Sequence, residues 1–276
     1  MTHNSLINYL KKKNIYVISP HFDDAVYSMG MLLYTLKNSG NVTVVNVFTR
    51  AHSGPYTIAA KKNFKTAGFS NAVDLYNSRL LEDKNALSAV NAKQINLDLP
   101  EALFRKKLNS KHIPSQSSFH SLSFGERVKM RVKNIIVKYI PEFEHVYPTF
   151  RWHIIKKVHP EDPAIQELKK KLMKIIPADA VVFSPTGIGN HADHIIVSHV
   201  CRKLFKNIFY YVDFPYYMQL NNSGKTPENY QKCNLAVNLK IKSKLIHLYP
   251  SQIPSCFPTG VIPDHKEIFF VPRQIL

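Results

Sequence analysis

The stretch YVISPHFDDAVYSMG, residues 16–30, decides the fold. It passes from a short apolar, β-branched segment through Pro20 to His21, Asp23 and Asp24, and then into residues with helical spacing. β-Branched residues favour a strand, and an acidic pair suits the first turn of a helix, where it complements the dipole or caps free amides. A continuous apolar strand that feeds a helix belongs to a parallel sheet covered on both faces. Residues at such a junction lie along the sheet's carboxyl edge, where open α/β folds bind ligands. Capping by itself accounts for the two aspartates and leaves His21 unexplained.

Further out, apolar runs recur at 42–48 (VTVVNVF), 95–97 (INL), 180–184 (AVVFS) and 208–212 (IFYYV). Helical periodicity falls at about 24–38, 78–92, 161–176 and 191–205. The expectation is an α/β chain with a Rossmann-like, mostly parallel sheet and helices on both faces, forming a single domain over 1–276. Between about 100 and 160 the pattern weakens into the turn-rich KHIPSQSSFHSLSFGE and the basic helix RVKMRVKNIIVKYI, as in an insertion over one end of the sheet. After Tyr216 the sequence predicts one helix near 226–247 and then a proline-punctuated loop.

Composition narrows the class. Three cysteines without CxxC spacing support neither a thiolate metal site nor a disulfide framework, which fits a reducing, cytoplasmic setting. No apolar run approaches the roughly 20 residues of a membrane span. With 37 Lys+Arg against 19 Asp+Glu the formal charge is +18, a field that attracts anions without selecting among them. The basic residues form short scattered groups and read mostly as solvated surface, so no nucleic-acid partner is expected.

A second cluster, GIGNHADHIIVSH (187–199), follows the strand at 180–184. His191 and His194 stand three apart, on one helix face. Asn190 as N-cap and Asp193 as a first-turn acid explain part of it, but not two histidines on one face. Nine other histidines, among them His112, His120 and His153, have no such context. All strand-to-helix junctions of a parallel sheet open on one edge, so the two clusters can share a site. Two histidines and a carboxylate would hold a divalent metal with a position left open, and one aspartate and one histidine would remain for proton transfer. Two competing readings stay open. GIGNHA also satisfies the dinucleotide pattern G-x-G-x-x-A and is trailed by a strand ending in Asp213, the outline of a nucleotide-binding oxidoreductase or transferase. The charge alone would suit a basic, non-catalytic protein that binds nucleic acid or membrane.

The motifs HFDD followed by Gly30, and HADH, resemble those of the PIG-L/LmbE-like N-acetylglucosaminyl deacetylases, zinc enzymes that remove acetyl from N-acetylated amino sugars. SRLLEDKNAL, LDLPEA, FYYVDFPY and YPSQ are similar to further segments of that family. The resemblance implies metal ligation by His21, Asp24 and His194, with Zn2+ or another divalent first-row ion. It implies that Asp23 is the general base, and that His191 assists as oxyanion partner or acid with Asp193 orienting its ring. Arg79 would contact the sugar. The implied substrate is an N-acetylated amino sugar or its conjugate, such as an antibiotic intermediate, with the basic surface leaning toward an anionic one. Phe22 and Ala25 depart from the usual residues and should alter the site wall. Gly189 stands where some members carry an oxyanion tyrosine, so that role is vacant or filled from elsewhere.

Overall fold

The computed structural model describes residues 3–39, 41–107, 123–150, 157–206, 208–220 and 224–275. Seven strands form one sheet: β1 (Ile15–Ser19), β2 (Val42–Asn46), β3 (Lys93–Asn96), β4 (Val181–Pro185), β5 (Ile208–Tyr211), β6 (Tyr230–Leu235) and β7 (Glu267–Pro272). Their order is β3-β2-β1-β4-β5-β7-β6. The first five are parallel neighbours, and β7 and β6 close the far side in antiparallel pairing. β2, β4, β5 and β7 are buried along their whole length, as expected of strands covered on both faces.

Helices α1 (His3–Leu10), α2 (Asp24–Leu36), α3 (Ile58–Thr66) and α4 (Ala72–Ala89) lie in the first half. α5 (Phe124–Tyr139), α6 (Ala164–Ile175), α7 (Ala192–Leu204), α8 (Tyr216–Gln219), α9 (Leu239–Ile246) and α10 (Ile253–Cys256) follow. One apolar cluster joins α1, α2 and α9 to one face of the sheet through Leu10, Leu33 and Ile246. A second joins α6 and α7 to the other face through Leu168 and Val197.

The antiparallel end departs from the sequence reading. The single helix expected at 226–247 is a strand, β6, followed by α9. β6 is an edge strand with alternating exposure, and Asn238 starts α9 by accepting the amides of Lys240 and Ile241. β7 was not anticipated, nor were α1 and α3, and the loop after Tyr249 contains the short α10. Of the 100–160 stretch, the structure describes a 3-10 turn at Ala102–Phe104, helix α5 and a second turn at Pro141–Glu144. Most of KHIPSQSSFHSLSFGE, with His112 and His120, and also His153, lie outside the described residues.

The order of β1 and β4 positions the site. From β1 the chain moves outward to β2 and β3, and from β4 it moves the other way to β5. The crevice between the carboxyl ends of β1 and β4 is therefore a topological switch point.

Candidate active site

HFDD leaves β1 and HADH follows β4, and the sheet sets them side by side. Ser19, the last residue of β1, ties the first turn: its hydroxyl donates to the His21 carbonyl (2.6 Å) and accepts the Ala25 amide (3.0 Å). Asp23 occupies the N-cap position of α2 without a side-chain capping bond. Asp24 Oδ2 instead accepts from the amide and from Nδ1 of His21 (2.8 and 3.0 Å) and lies 3.3 Å from His194 Nε2. Capping thus fails to explain either aspartate's side chain.

His21, Asp24 and His194 offer ligand atoms that all lie within 4.8 Å of one another. His194 donates Nδ1–H to Asp213 Oδ1 (2.6 Å), which fixes its tautomer, while its buried Nε2 has no hydrogen-bond partner. A carboxylate behind one imidazole nitrogen and an orphan nitrogen in front is the arrangement expected of a metal-binding histidine. Burial alone would lower both histidines' pKa values. The hydrogen bonds from His21 to Asp193 and Asp24 hold it well above the ordinary value, and Asp24 and Asp213 bring His194 to about 10. A divalent cation takes the place of such protons when it binds. Two imidazoles and one carboxylate, buried and convergent, fit a divalent first-row ion. His21, His191 and Asp193 form a second, overlapping group.

Asp23 sits beside this cluster, and among the described residues no side chain donates to its carboxylate. Burial, then the charge of Asp24, push it up to about 6, against the pull of His21 and Arg79. Asp193 differs from expectation. Its Oδ2 accepts from His21 Nε2 (3.1 Å) and the Ala102 amide (3.0 Å), and its Oδ1 from Arg105. Arg105 is itself buried and pairs with Asp162 at 2.5 Å. The carboxylate expected to orient His191 thus orients His21. The contact with His191 runs the other way, from the Asp193 amide to His191 Nδ1 (3.2 Å). This makes His191, rather than Asn190, the N-cap of α7, and gives a neutral ring the proton on Nε2. Asn190 holds a left-handed turn, φ 60°.

A cavity of about 260 Å³ opens over these groups, lined among others by Asp23, Arg79, Glu101, His191, Tyr216 and Gln252. Arg79 is on its wall but committed: Nη2 donates to Gln252 Oε1 (3.1 Å) and Nη1 lies 3.6 Å from Glu101. The expected effect of Phe22 and Ala25 on the wall gives way to a packing role. Phe22 is buried with Ala60, Phe64, Leu75, Tyr76 and Phe104 of the α3–α4 region, and Ala25 lies in the core under α2. At Gly189, a Cβ would stand 2.5 Å from the ring of Tyr216, which packs edge-on against His194 (5.3 Å, 84°). The space left by the glycine is filled from another element.

The glycine-rich turn is also occupied. Asp213 Oδ2 accepts from the Thr186 hydroxyl (2.6 Å) and from the amides of Gly187 (2.8 Å) and Ile188 (3.2 Å). The donors that a pyrophosphate would need are taken by the chain's own carboxylate, which removes the basis for the dinucleotide reading. Asp213, Glu101, Arg105 and Tyr216 are the site residues that sequence reasoning did not assign. Asp213 had a signal as the acid ending the fifth strand, and Asp213, Tyr216 and Glu101 lie in the family-like segments FYYVDFPY and LDLPEA; Arg105 had none.

The family profile described as GlcNAc-PI de-N-acetylase (PIG-L) matches residues 16–205, most of the chain and both motifs. The chain belongs to the PIG-L family. It is 22% identical to the 2'-N-acetylparomamine deacetylase of Niallia circulans over 94% of this chain and 91% of that protein. The A40926 pseudoaglycone deacetylase has the same fold (TM-score 0.60, 18% identity, 94% and 96% coverage). So does a teicoplanin deacetylase in a zinc-inhibited form (TM-score 0.60, 19% identity, 93% and 96% coverage). This PIG-L protein is thus a deacetylase-family chain with an α/β fold, and no helix among its described residues is long and apolar enough to cross a membrane.

Proposed function

We propose that the chain is a metal-dependent hydrolase that removes the N-acetyl group from an amino sugar or its conjugate. The observation that carries this is the convergence of Asp24 Oδ2 with the unpartnered Nε2 of His194 beside the uncapped Asp23. His21, Asp24 and His194 would hold the ion. A divalent ion there supplies Lewis acidity toward the acetyl carbonyl and toward water. Asp23, at about 6, takes the proton of the attacking water and returns it to the departing amine. His191, whose Nδ1 accepts the Asp193 amide and which lines the cavity, and the hydroxyl of Tyr216 serve as donors to the oxygen on which charge develops. Burial, then Asp24, hold the Tyr216 phenol well above its ordinary pKa, so it keeps its proton. Its hydroxyl has no partner among the described residues, and it takes the place of the tyrosine that Gly189 excludes.

The site does not support the lean toward an anionic substrate. Besides His21 and His191, the ionisable wall is Asp23, Asp24 and Glu101 against Arg79, which is engaged with Glu101 and Gln252. With His21 holding a divalent ion that offsets two of the carboxylates, Glu101 is left to balance Arg79, and the wall offers no uncommitted lysine or arginine for a phosphate. An uncharged or amine-bearing amino sugar fits this wall, and the curated relative is named for such a compound. The test measures amine release from N-acetylated amino sugars that are free, amine-bearing, glycopeptide-linked or phosphorylated. Each is assayed after chelation and after adding back zinc, manganese, cobalt or nickel. The range is needed because a structural neighbour is described in a zinc-inhibited form. Release restored by at least one metal, strongest on the uncharged or amine-bearing substrates, supports the reading. Release that chelation leaves unchanged, or none on any substrate, overturns it.

A further inference from the structure

Helix α5 carries a surface that the catalytic reading does not use. It starts from its own capping box: the Ser123 hydroxyl accepts the Glu126 amide while Glu126 accepts the Ser123 amide. Its principal contact among the described elements is its own continuation, the turn Pro141–Glu144. Val128, Val132, Ile135, Ile136 and Tyr139 recur at three- and four-residue steps, so they lie on one face. All are exposed, Tyr139 to 76%, and the stripe runs on to Phe143 at 65%. The Ile58 amide donates to Glu142 (2.8 Å), and Ile58 is 78% exposed. The apolar ridge thereby reaches α3, whose Asn63 lines the catalytic cavity.

The helix sequence FGERVKMRVKNIIVKY holds Arg127, Lys129, Arg131, Lys133 and Lys138 against the single acid Glu126. An apolar stripe on a helix of this charge matches the boundary between anionic headgroups and acyl chains, where such helices lie flat. Other occupants fit less well. Neither neighbouring segment, 108–122 or 151–156, contains an Asp or Glu to complement the helix. A second copy would set like charge against like, and nucleic acid would answer the lysines but leave the apolar stripe in water. We infer that α5 and the turn after it form a docking surface for an anionic lipid bilayer, which holds the mouth of the catalytic cavity next to the membrane.

The test is co-flotation of the full-length protein with phosphatidylcholine vesicles, with and without about 25 mol % phosphatidylglycerol. Expected is at least tenfold stronger partitioning onto the anionic vesicles, reduced severalfold in about 0.5 M NaCl. Val132→Asp/Ile136→Asp and, separately, Lys129→Glu/Lys138→Glu should each lower it by roughly tenfold or more while the far-UV circular dichroism and melting curve stay those of the parent. Wild-type protein that floats with neither vesicle overturns the inference. So does partitioning that both double variants leave unchanged, or a salt-sensitive DNA complex formed in preference to the vesicles. A dimer that only the aspartate pair disperses, without vesicle binding, does so as well.

Discussion

Two buried polar clusters stand close together in this protein, one closed and one open. In the closed cluster, α4 and the segment YPSQ interlock residue by residue. Glu82 accepts the amide and hydroxyl of Ser251, Asp83 accepts the Tyr249 hydroxyl together with Asn46 and Gln94, and Arg79 reaches Gln252. Both carboxylates there are saturated with donors. In the open cluster, among the described residues, buried His194 Nε2 has no partner, and no side chain bonds the Asp23 carboxylate or the Tyr216 hydroxyl beside it. Burying a polar atom without a partner costs roughly 1–3 kcal/mol, so a stable fold tolerates several together only where something else completes them. Between the carboxylates the contrast is clear: Glu82 and Asp83 are held by donors as supports of the fold, while Asp23 is left for a reacting group, although Asn46 Oδ1 in the closed cluster is unpartnered too. Arg79 borders both, with its Nη atoms engaged and its buried Nε unpartnered.

The sharpest way to break this division is Asp23→Asn. It should lower turnover by about 10²–10⁴ while metal stoichiometry, read by atomic emission, stays unchanged. Loss of metal together with activity would place Asp23 among the ligands. Next in size is Asp213→Asn, which keeps the shape but weakens the acceptor behind His194. Metal affinity should fall roughly 10–100-fold in a chelator competition on the folded protein, and the melting curve should fall as well, because the new NH2 must face donors that Asp213 now accepts. Smaller again, Tyr216→Phe should lower kcat by roughly tenfold or more with KM little changed. Gly189→Ala should do likewise by pushing the ring away.

The closed cluster answers to a different instrument. Tyr249→Phe removes one donor from Asp83 and should cost about 1–3 kcal/mol in chemical denaturation without altering metal affinity. Its pH dependence is the finest test. Burial pushes Asp83 up to about 7 even though three hydrogen bonds pull it down. A folded pKa above the unfolded one gives stability that is complete below the unfolded value near 4 and is lost as pH rises toward 7. In Asp83→Asn that decline should flatten by up to about 1.4 kcal/mol per pH unit inside the window. An unchanged slope would mean that Asp83 stays ionised.

What the sequence disclosed follows the same line. The parallel strands and the helices after them declare themselves through local runs, so HFDD and HADH were placed on one edge before any coordinate. β6 and β7 escaped because an edge strand of mixed exposure and a short run behind prolines carry little periodicity. Among the site residues, the two short motifs were visible because their members are neighbours in the chain. The roles of Asp213, Tyr216, Glu101 and Arg105 were not, although the first three lie in segments already marked as family-like, because each meets its partner across a large sequence separation. Asp193 illustrates the limit: its place in HADH suggested His191, but the fold gives its carboxylate to His21. Phe22 shows the converse, an apparent site substitution that serves packing.

Gly30, the glycine of the first motif, sits where α2 is tied to the antiparallel end of the sheet. Helix α2 breaks at Met29 (φ −136°, ψ 19°), and the Glu267 carboxylate on β7 caps the restarting turn by accepting the Met31 (2.7 Å) and Leu32 (3.0 Å) amides. Lys242, paired with Glu267, runs past Gly30, where a Cβ would stand 3.3 Å from its Nζ. The helix that begins with Asp24 is therefore completed by a side chain 236 residues further along the chain. Replacing Glu267 would leave the Met31 and Leu32 amides without their acceptor, so the helix that carries Asp24 depends on the antiparallel end of the sheet.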